Sequence, residues 1–180
     1  MTTDTARRFE ELTSPHLDAA FNLARWLTRD QHDAEDVVQE AYLRAFRFFA
    51  SFRGGDGKAW LLAIVRNTGY SWLQQNRRET TAPIDDAAAQ EVEETAFSDG
   101  PAESPESLLQ RLSDRELVTT ALERLPTEYR EVLVLRELEE LSYKEIAHIA
   151  DLPIGTVMSR LSRARRLLKQ CVLQMNPEPR

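Results

Sequence analysis

The sequence predicts an all-α fold, with two small helical domains joined by an acidic flexible linker and a helix-turn-helix in the second domain. Three observations lead there. Apolar residues recur at the helical spacing of three and four through both ends of the chain, and no segment shows the strict alternation of a half-buried strand. Residues 79–110 contain nine Asp and Glu but no Lys or Arg. The expected divisions are 1–79 for the first domain, 80–104 for the linker and 105–176 for the second.

In chain order, "SPHLDAAFNLARWLT" opens a helix with Ser14 as cap and Pro15 at the first helical position, where a missing N–H costs nothing. "DAEDVVQEAYLRAFRFFASF" puts Ala34, Val37, Val38, Ala41, Tyr42, Ala45, Phe46 and Phe49 on one stripe, with Asp33 as candidate N-cap. A glycine-rich loop, "FRGGDGK", leads to a further helix, "AWLLAIVRNTGYSWLQQNRR", with Leu61, Val65 and Trp72 as its core face. The acidic stretch, interrupted by Pro83, Pro101 and Pro105, cannot bury enough apolar surface to fold alone, and it leaves the two domains free to move independently. Ser104-Pro105-Glu106 starts the next helix, Pro126 punctuates it, and "TEYREVLVLREL" follows. Ser142 with Glu145 forms a capping box for a short helix carrying Ile146, Ala147 and Ile149 inward. Asp151-Leu152-Pro153 breaks that helix, and "GTVMSRLSRARRLLKQ" then aligns Val157, Leu161, Ala164 and Leu168 on one stripe.

The formal charge of −7 over 180 residues is segregated: nine of the 30 acids lie in the acidic stretch, leaving 21 against 23 Lys and Arg elsewhere. The remainder is weakly basic, and a linker of acidic sign could compete with nucleic acid for basic surfaces or lie along a basic channel on a partner. The N-terminus "MTTDTARRFEELTS" has no apolar signal core and the apolar runs are short, so a cytoplasmic protein without direct membrane insertion is expected. Cys171, the one cysteine, excludes an internal disulfide framework; it reads as a packed small hydrophobe rather than a redox sensor. His16, His32 and His148 lie in different segments without metal-ligand spacing, and no glycine-rich phosphate loop precedes a helix. No metal, cofactor, small-molecule substrate or catalytic residue is therefore expected, and the chain does not read as an enzyme.

Its chemistry lies in helix faces. Opposite the apolar stripe of the last helix stand Ser159, Ser162, Arg163 and Arg166, flanked by Thr156, Met158, Arg160 and Arg165. Two short helices joined by a tight turn, the second exposing hydroxyls and guanidinium groups, have the form needed to enter a major groove; the alternative is a solvated arginine face. Along the helix after the glycine-rich loop, Trp60, Asn67, Ser71, Gln74 and Arg78 form a line, and Lys58, Arg66, Arg77 and Arg78 are unopposed by acids. An aromatic, an amide and several cations on one face suit single-stranded DNA, although Trp60 as core and Asn67 as a surface amide is an equal reading. The preceding helix carries Asp33, Glu35, Asp36, Gln39 and Glu40 outward, which fits a basic protein partner or acids solvated near a helix N-terminus.

These segments together resemble a bacterial extracytoplasmic-function sigma factor, from the minimal group of the sigma-70 family. "DAEDVVQEAYLRAFR" resembles the region 2 segment that grips the clamp helices of the RNA polymerase β′ subunit, and "FRGGDGKAWLLAIVRNT" resembles the loop and helix that melt and read the minus-ten element. "LERLPTEYREVLVLRELEELSYKEIAHIADLPIGTVMSRLSRARR" resembles region 4, which binds the minus-thirty-five element and the polymerase β flap. The resemblance implies that Asp33, Asp36, Gln39 and Glu40 contact polymerase core. It implies that the loop from Phe52 and Arg53 to Lys58, with Trp60, Arg66, Asn67, Arg77 and Arg78, serves the minus-ten element. Thr156, Met158, Ser159, Arg160, Ser162, Arg163 and Arg166 would serve the minus-thirty-five element. Met158 stands where many relatives carry Arg or Lys, which substitutes an apolar contact, such as a thymine methyl accepts, for a charged one. The resemblance further implies an acidic linker lying along the polymerase RNA exit channel, promoter DNA as partner, and a stress or envelope-response regulon. It also implies an anti-sigma factor that holds the chain inactive, in some relatives at the inner membrane. A stand-alone helix-turn-helix transcriptional regulator is the alternative; it would need a dimerisation or ligand domain that the first half does not advertise.

Overall fold

Amphipathic spacing produces helices throughout the computed structural model, which describes residues 3–77 and 105–175, with side chains for 4–76 and 115–175. The first four helices are α1 (Thr3–Thr13), α2 (Leu17–Thr28), α3 (Gln31–Phe48) and α4 (Gly57–Arg77). The last four are α5 (Pro105–Arg124), α6 (Thr127–Leu133), α7 (Tyr143–Ala150) and α8 (Ile154–Met175). Among the described residues every regular element is helical.

α2, α3 and α4 pack against one another around Leu23, Leu27, Val37, Leu61, Leu62 and Val65. The inward face of α3 is built from Ala34, Ala41 and Ala45, all fully buried, so neighbouring helices approach closely. Gly69 marks the tightest approach: a Cβ there would lie 2.8 Å from Leu27 Cδ1. α1 closes the open end by setting Phe9 edge-on to Tyr42, Phe46 and Phe49, with ring centroids 5.9, 5.1 and 5.4 Å away.

Two helix starts differ from expectation. Ser14 makes no capping bond, and Pro15 sits in a tight 3-10 turn, Ser14–His16, from which α2 begins at Leu17. α3 starts three residues earlier than the apolar stripe suggests, because Asp30 rather than Asp33 is the cap, its Oδ1 accepting from the Asp33 N–H at 3.1 Å. Arg29 takes the left-handed conformation (φ 64°) that ends α2 and lets Asp30 reach that position.

In the second half, α6 runs into a wider π turn, Val134–Leu138, in which the Glu139 N–H donates to Val134 O at 3.1 Å. The expected capping box is present: Ser142 Oγ accepts from the Glu145 N–H (3.3 Å) and Glu145 Oε2 accepts from the Ser142 N–H (2.6 Å). Asp151, with φ 53°, ends α7, and α8 then buries Val157, Leu161 and Ala164 against α6 and α5. α7 and α8 thus form the helix-turn-helix.

The expectation of two freely moving domains is not met, because α4 packs on α7 and α2 packs on α6. Arg130 sits in this junction at 1% exposure. Its Nε donates to Trp26 O at 2.6 Å, Nη1 to Leu125 O at 2.8 Å and Glu123 O at 3.3 Å, and Nη2 to Thr127 Oγ1 at 3.4 Å. The Arg29 guanidinium adds a second donor to Leu125 O at 3.1 Å. Linker residues 80–104, including Ser104, lie outside the described residues.

Two outcomes are expected in thermal or urea unfolding. Arg130→Ala strips buried carbonyls of their donor and should cost roughly 2–4 kcal/mol, whereas Arg124→Ala, on an exposed residue, should stay within about 0.5 kcal/mol of the parent. Ser142→Ala should cost about 1 kcal/mol at neutral pH. The Ser142 hydrogen bonds hold Glu145 below its ordinary value, so the folded chain favours the ionised carboxylate. That part of the stability is complete above the unfolded value and is lost as pH falls through the folded one. The gap between parent and Ser142→Ala should therefore narrow on acidification from neutrality to about pH 3.

Candidate nucleic-acid interface

The outward face of α8 carries Ser159, Ser162 and Arg163, all exposed, with Arg166 half-buried beside them. Ser159 Oγ donates to Thr156 O at 3.0 Å, which draws the hydroxyl onto its own helix. Met158 projects from the flank at 52% exposure. Arg160 stands on the opposite flank, where its Nη2 lies 3.4 Å from Glu128 Oε2 of α6, so it is drawn away from Ser159 and Arg163. Arg165, the other arginine flanking this face, pairs with Glu137 Oε1 at 2.9 Å. Burial, and after it repulsion from Arg29, lowers the Arg130 guanidinium to about 10; it remains cationic at neutral pH.

The second surface is built by the loop between α3 and α4. Gly54 and Gly55 adopt φ of 91° and 110°, a conformation side chains resist, and they swing the loop clear of the helix that follows. Asp56 Oδ1 then accepts from the Lys58 N–H at 2.8 Å as α4 begins. Phe52 lies against Trp60 with ring centroids 4.8 Å apart, and the two aromatic rings, Arg53 and the glycines wall a cleft of about 380 Å³. His148 of α7 forms its far side, a placement the sequence did not suggest because its partners lie far away in the chain. Trp60 is half-buried: it packs on the core and also lines the cleft.

Along α4, Asn67 is exposed, but Lys58 and Arg66 are engaged. Lys58 Nζ donates to Glu139 O at 3.0 Å and lies 3.1 Å from Glu139 Oε2. Arg66 Nε donates to Glu131 Oε1, and its guanidinium lies over the Tyr70 ring at 4.3 Å. Tyr70 OH donates to Glu131 Oε2 at 2.7 Å; burial, then the nearby carboxylate, pushes its hydroxyl well above the usual range. The Arg77 side chain and Arg78 lie outside the described residues.

The third surface is the outer side of α3. Asp36 and Gln39 are exposed, and Glu40 Oε1 accepts from Arg44 Nε at 2.7 Å. Burial, followed by repulsion from Asp30 and Asp36, raises the Asp33 carboxyl above its ordinary value, a crowding that a cationic partner would relieve. Leu43, 51% exposed, falls three and four residues beyond Glu40 and Gln39 on the same side and puts an apolar centre into the acidic face. The signal that could have found it is an apolar residue out of phase with the buried stripe. Among the described residues, no three His, Cys, Asp or Glu side chains come together as metal ligands, and Cys171 is half-buried.

Comparison with known proteins adds to this geometry. A family model described as Sigma-70 region 2 matches residues 12–79, and one described as Sigma-70, region 4 matches residues 115–168. The chain is 40% identical over 142 residues to the ECF RNA polymerase sigma-E factor of Escherichia coli strain K12, spanning 76% of this chain and 72% of that protein. It is 36% identical over 152 residues to the protein of the same name from Haemophilus influenzae, spanning 82% and 77%. Among solved structures it is similar to the sigma factor RpoE of Bartonella quintana in complex with the anti-sigma factor NepR. There the TM-score is 0.69 at 29% identity, covering 96% of this chain and 99% of that one. The fold is also that of CnrH, solved with the cytosolic domain of CnrY, at TM-score 0.62 and 23% identity over 97% of this chain and 91% of that one.

Proposed function

The chain belongs to the extracytoplasmic-function group of the sigma-70 family of RNA polymerase sigma factors, and we propose how its three surfaces divide that work. The outer side of α3, with Asp33, Asp36, Gln39 and Glu40 around Leu43, docks on the basic clamp helices of polymerase β′. The loop Phe52 to Lys58, with Trp60, Arg66, Asn67, Arg77 and Arg78 of the following helix, takes the minus-ten element. Thr156, Met158, Ser159, Ser162, Arg163 and Arg166 of α8 take the minus-thirty-five element, with Arg160 joining them when it leaves Glu128. The last four helices also meet the β flap.

One observation carries this reading: α3 and α8 expose opposite charge on separate helices of one chain, and the aromatic cleft lies on neither. A protein face rich in acids repels DNA and attracts a cationic protein surface, while arginines and hydroxyls on a helix-turn-helix do the reverse. Phe52 and Trp60 offer a stacking surface for an unpaired base, which duplex DNA does not supply. The role is one of binding and positioning, and no catalytic step is assigned to the chain. No helix among the described residues is long and apolar enough to cross a membrane, and we take the cytoplasm, where polymerase and promoter DNA are, as its place of action. An anti-sigma factor as regulator is supported by the similar sigma factor having been solved with one bound.

Two variants test the division. Asp36→Arg should reduce association with polymerase core by several kcal/mol through like-charge repulsion while leaving the melting temperature of an exposed position nearly unchanged. Parent-like core binding in a pull-down would remove α3 as the docking face. Arg163→Ala should weaken holoenzyme binding to promoter DNA by roughly 1–3 kcal/mol with core binding intact. Promoter affinity equal to the parent's would remove Arg163 from the reading set.

A further inference from the structure

Two carboxylates of the second half are buried, and among the described residues neither has a hydrogen-bond or ion-pair partner within its own half. Glu131, 1% exposed, is satisfied by Arg66 and Tyr70 of α4. Glu139, 9% exposed, is satisfied by Lys58 of α4 and by Asn22 of α2, whose Nδ2 donates to its Oε1 at 3.3 Å. A buried carboxylate needs charge-assisted partners, and these two take theirs from the cations that α4 would otherwise offer to nucleic acid. The π turn Val134–Leu138 widens the helix just before Glu139, and in this register its carboxylate reaches Lys58 rather than running on along α6. His148 stands at the same junction on the far side of the aromatic cleft.

We infer that Glu131 and Glu139 act as a carboxylate latch: they occupy the phosphate-binding cations of α4, hold the free chain shut, and are displaced when single-stranded DNA takes their place. The inference rests on α4 and its loop being the minus-ten surface. A carboxylate and a phosphate both present paired anionic oxygens to a guanidinium, so Arg66 cannot serve Glu131 and DNA together. The shut and DNA-bound forms therefore exclude each other, and the free chain's affinity for DNA is lowered by the fraction of molecules that are shut. Opening exposes both carboxylates to water, where they need no partner. It also brings acidic groups near the strand unless the halves separate, so DNA binding and separation favour each other.

The test uses the full chain without polymerase, with the radius of gyration from small-angle scattering as one readout. The other is binding of a fluorescein-labelled single-stranded oligonucleotide of random sequence, followed by anisotropy. Glu131→Gln combined with Glu139→Gln should enlarge the chain and tighten oligonucleotide binding by about tenfold or more, and adding Arg66→Ala should abolish that gain. A parent-sized radius of gyration in the folded double variant would overturn the latch while leaving α4 as a DNA surface untouched. Enlargement with no gain in binding would instead overturn the competition with DNA, and with it the assignment of α4. Because Glu131 is deeply buried, a second pair guards against a variant that fails to fold. Lys58→Glu alone should open the chain, and Lys58→Glu with Glu139→Lys should close it again; failure of the swapped pair to restore the parent radius would also overturn the latch.

Discussion

The arrangement of the two halves depends on a guanidinium buried without a carboxylate. Arg130 keeps its charge at neutral pH, so burial requires that its N–H groups find oxygens, and they find them in the carbonyls of Trp26, Leu125 and Glu123 and the hydroxyl of Thr127. One of those carbonyls ends a turn of α2 and the others belong to the corner between α5 and α6. The side chain therefore fixes that corner against the first half at the level of the backbone. The next residue in sequence is rotated by about 100° on the same helix, which turns Glu131 toward α4 while Arg130 faces α2. Two adjacent charges of opposite sign thus grip two different helices, and neither could slide along its partner without leaving the other unpaired.

With the corner fixed, the accessible chemistry follows. Asp36, Gln39 and Leu43 of α3 are exposed while the two halves are packed together. The outward face of α8 is equally uncovered at Ser162 and Arg163. In α4, the helix between them in function, Lys58 and Arg66 are the cations that the second half covers. Asn67 and Arg53 remain open at its margin, enough for a first encounter with a strand but without the paired cations that would retain it.

Much of this was legible in the sequence and some was not, for physical reasons that differ from residue to residue. Val157, Leu161 and Ala164 report burial through spacing alone, and Ser142 with Glu145 reports a helix start through reciprocal bonds three residues apart; such signals are local and survive any tertiary context. Asp33 misled because Asp30 and Asp33 stand three residues apart at the start of α3, and the apolar stripe cannot distinguish a cap from an acid in the first turn. The junction was illegible for another reason. Arg130, Glu131 and Glu139 look like solvated charges on an amphipathic segment, and their partners lie 65 to 117 residues away for the pairs Arg66–Glu131 and Asn22–Glu139. The composition of the acidic stretch describes that stretch, and says nothing about whether the surfaces at its two ends fit each other. The buried arginine was the available clue: "TEYREVLVL" sets Arg130 and Glu131 immediately before an apolar run, which places charge where a helix is about to become core on every side.

The choice of ions at the junction also bears on reversibility. A buried ion pair roughly breaks even against the loss of hydration, so it orients two surfaces without binding them strongly. An apolar pair of the same volume at Glu131 and Arg66 would hold the halves together more firmly, but no group in DNA could replace it, and opening would expose hydrocarbon to water. A carboxylate on a guanidinium can be exchanged for a phosphate one for one, with the released carboxylate hydrated in turn. The same cations can then serve first as a closure and afterwards as a binding site, and the energy separating the two states stays small enough for a nucleic acid or a protein partner to decide between them.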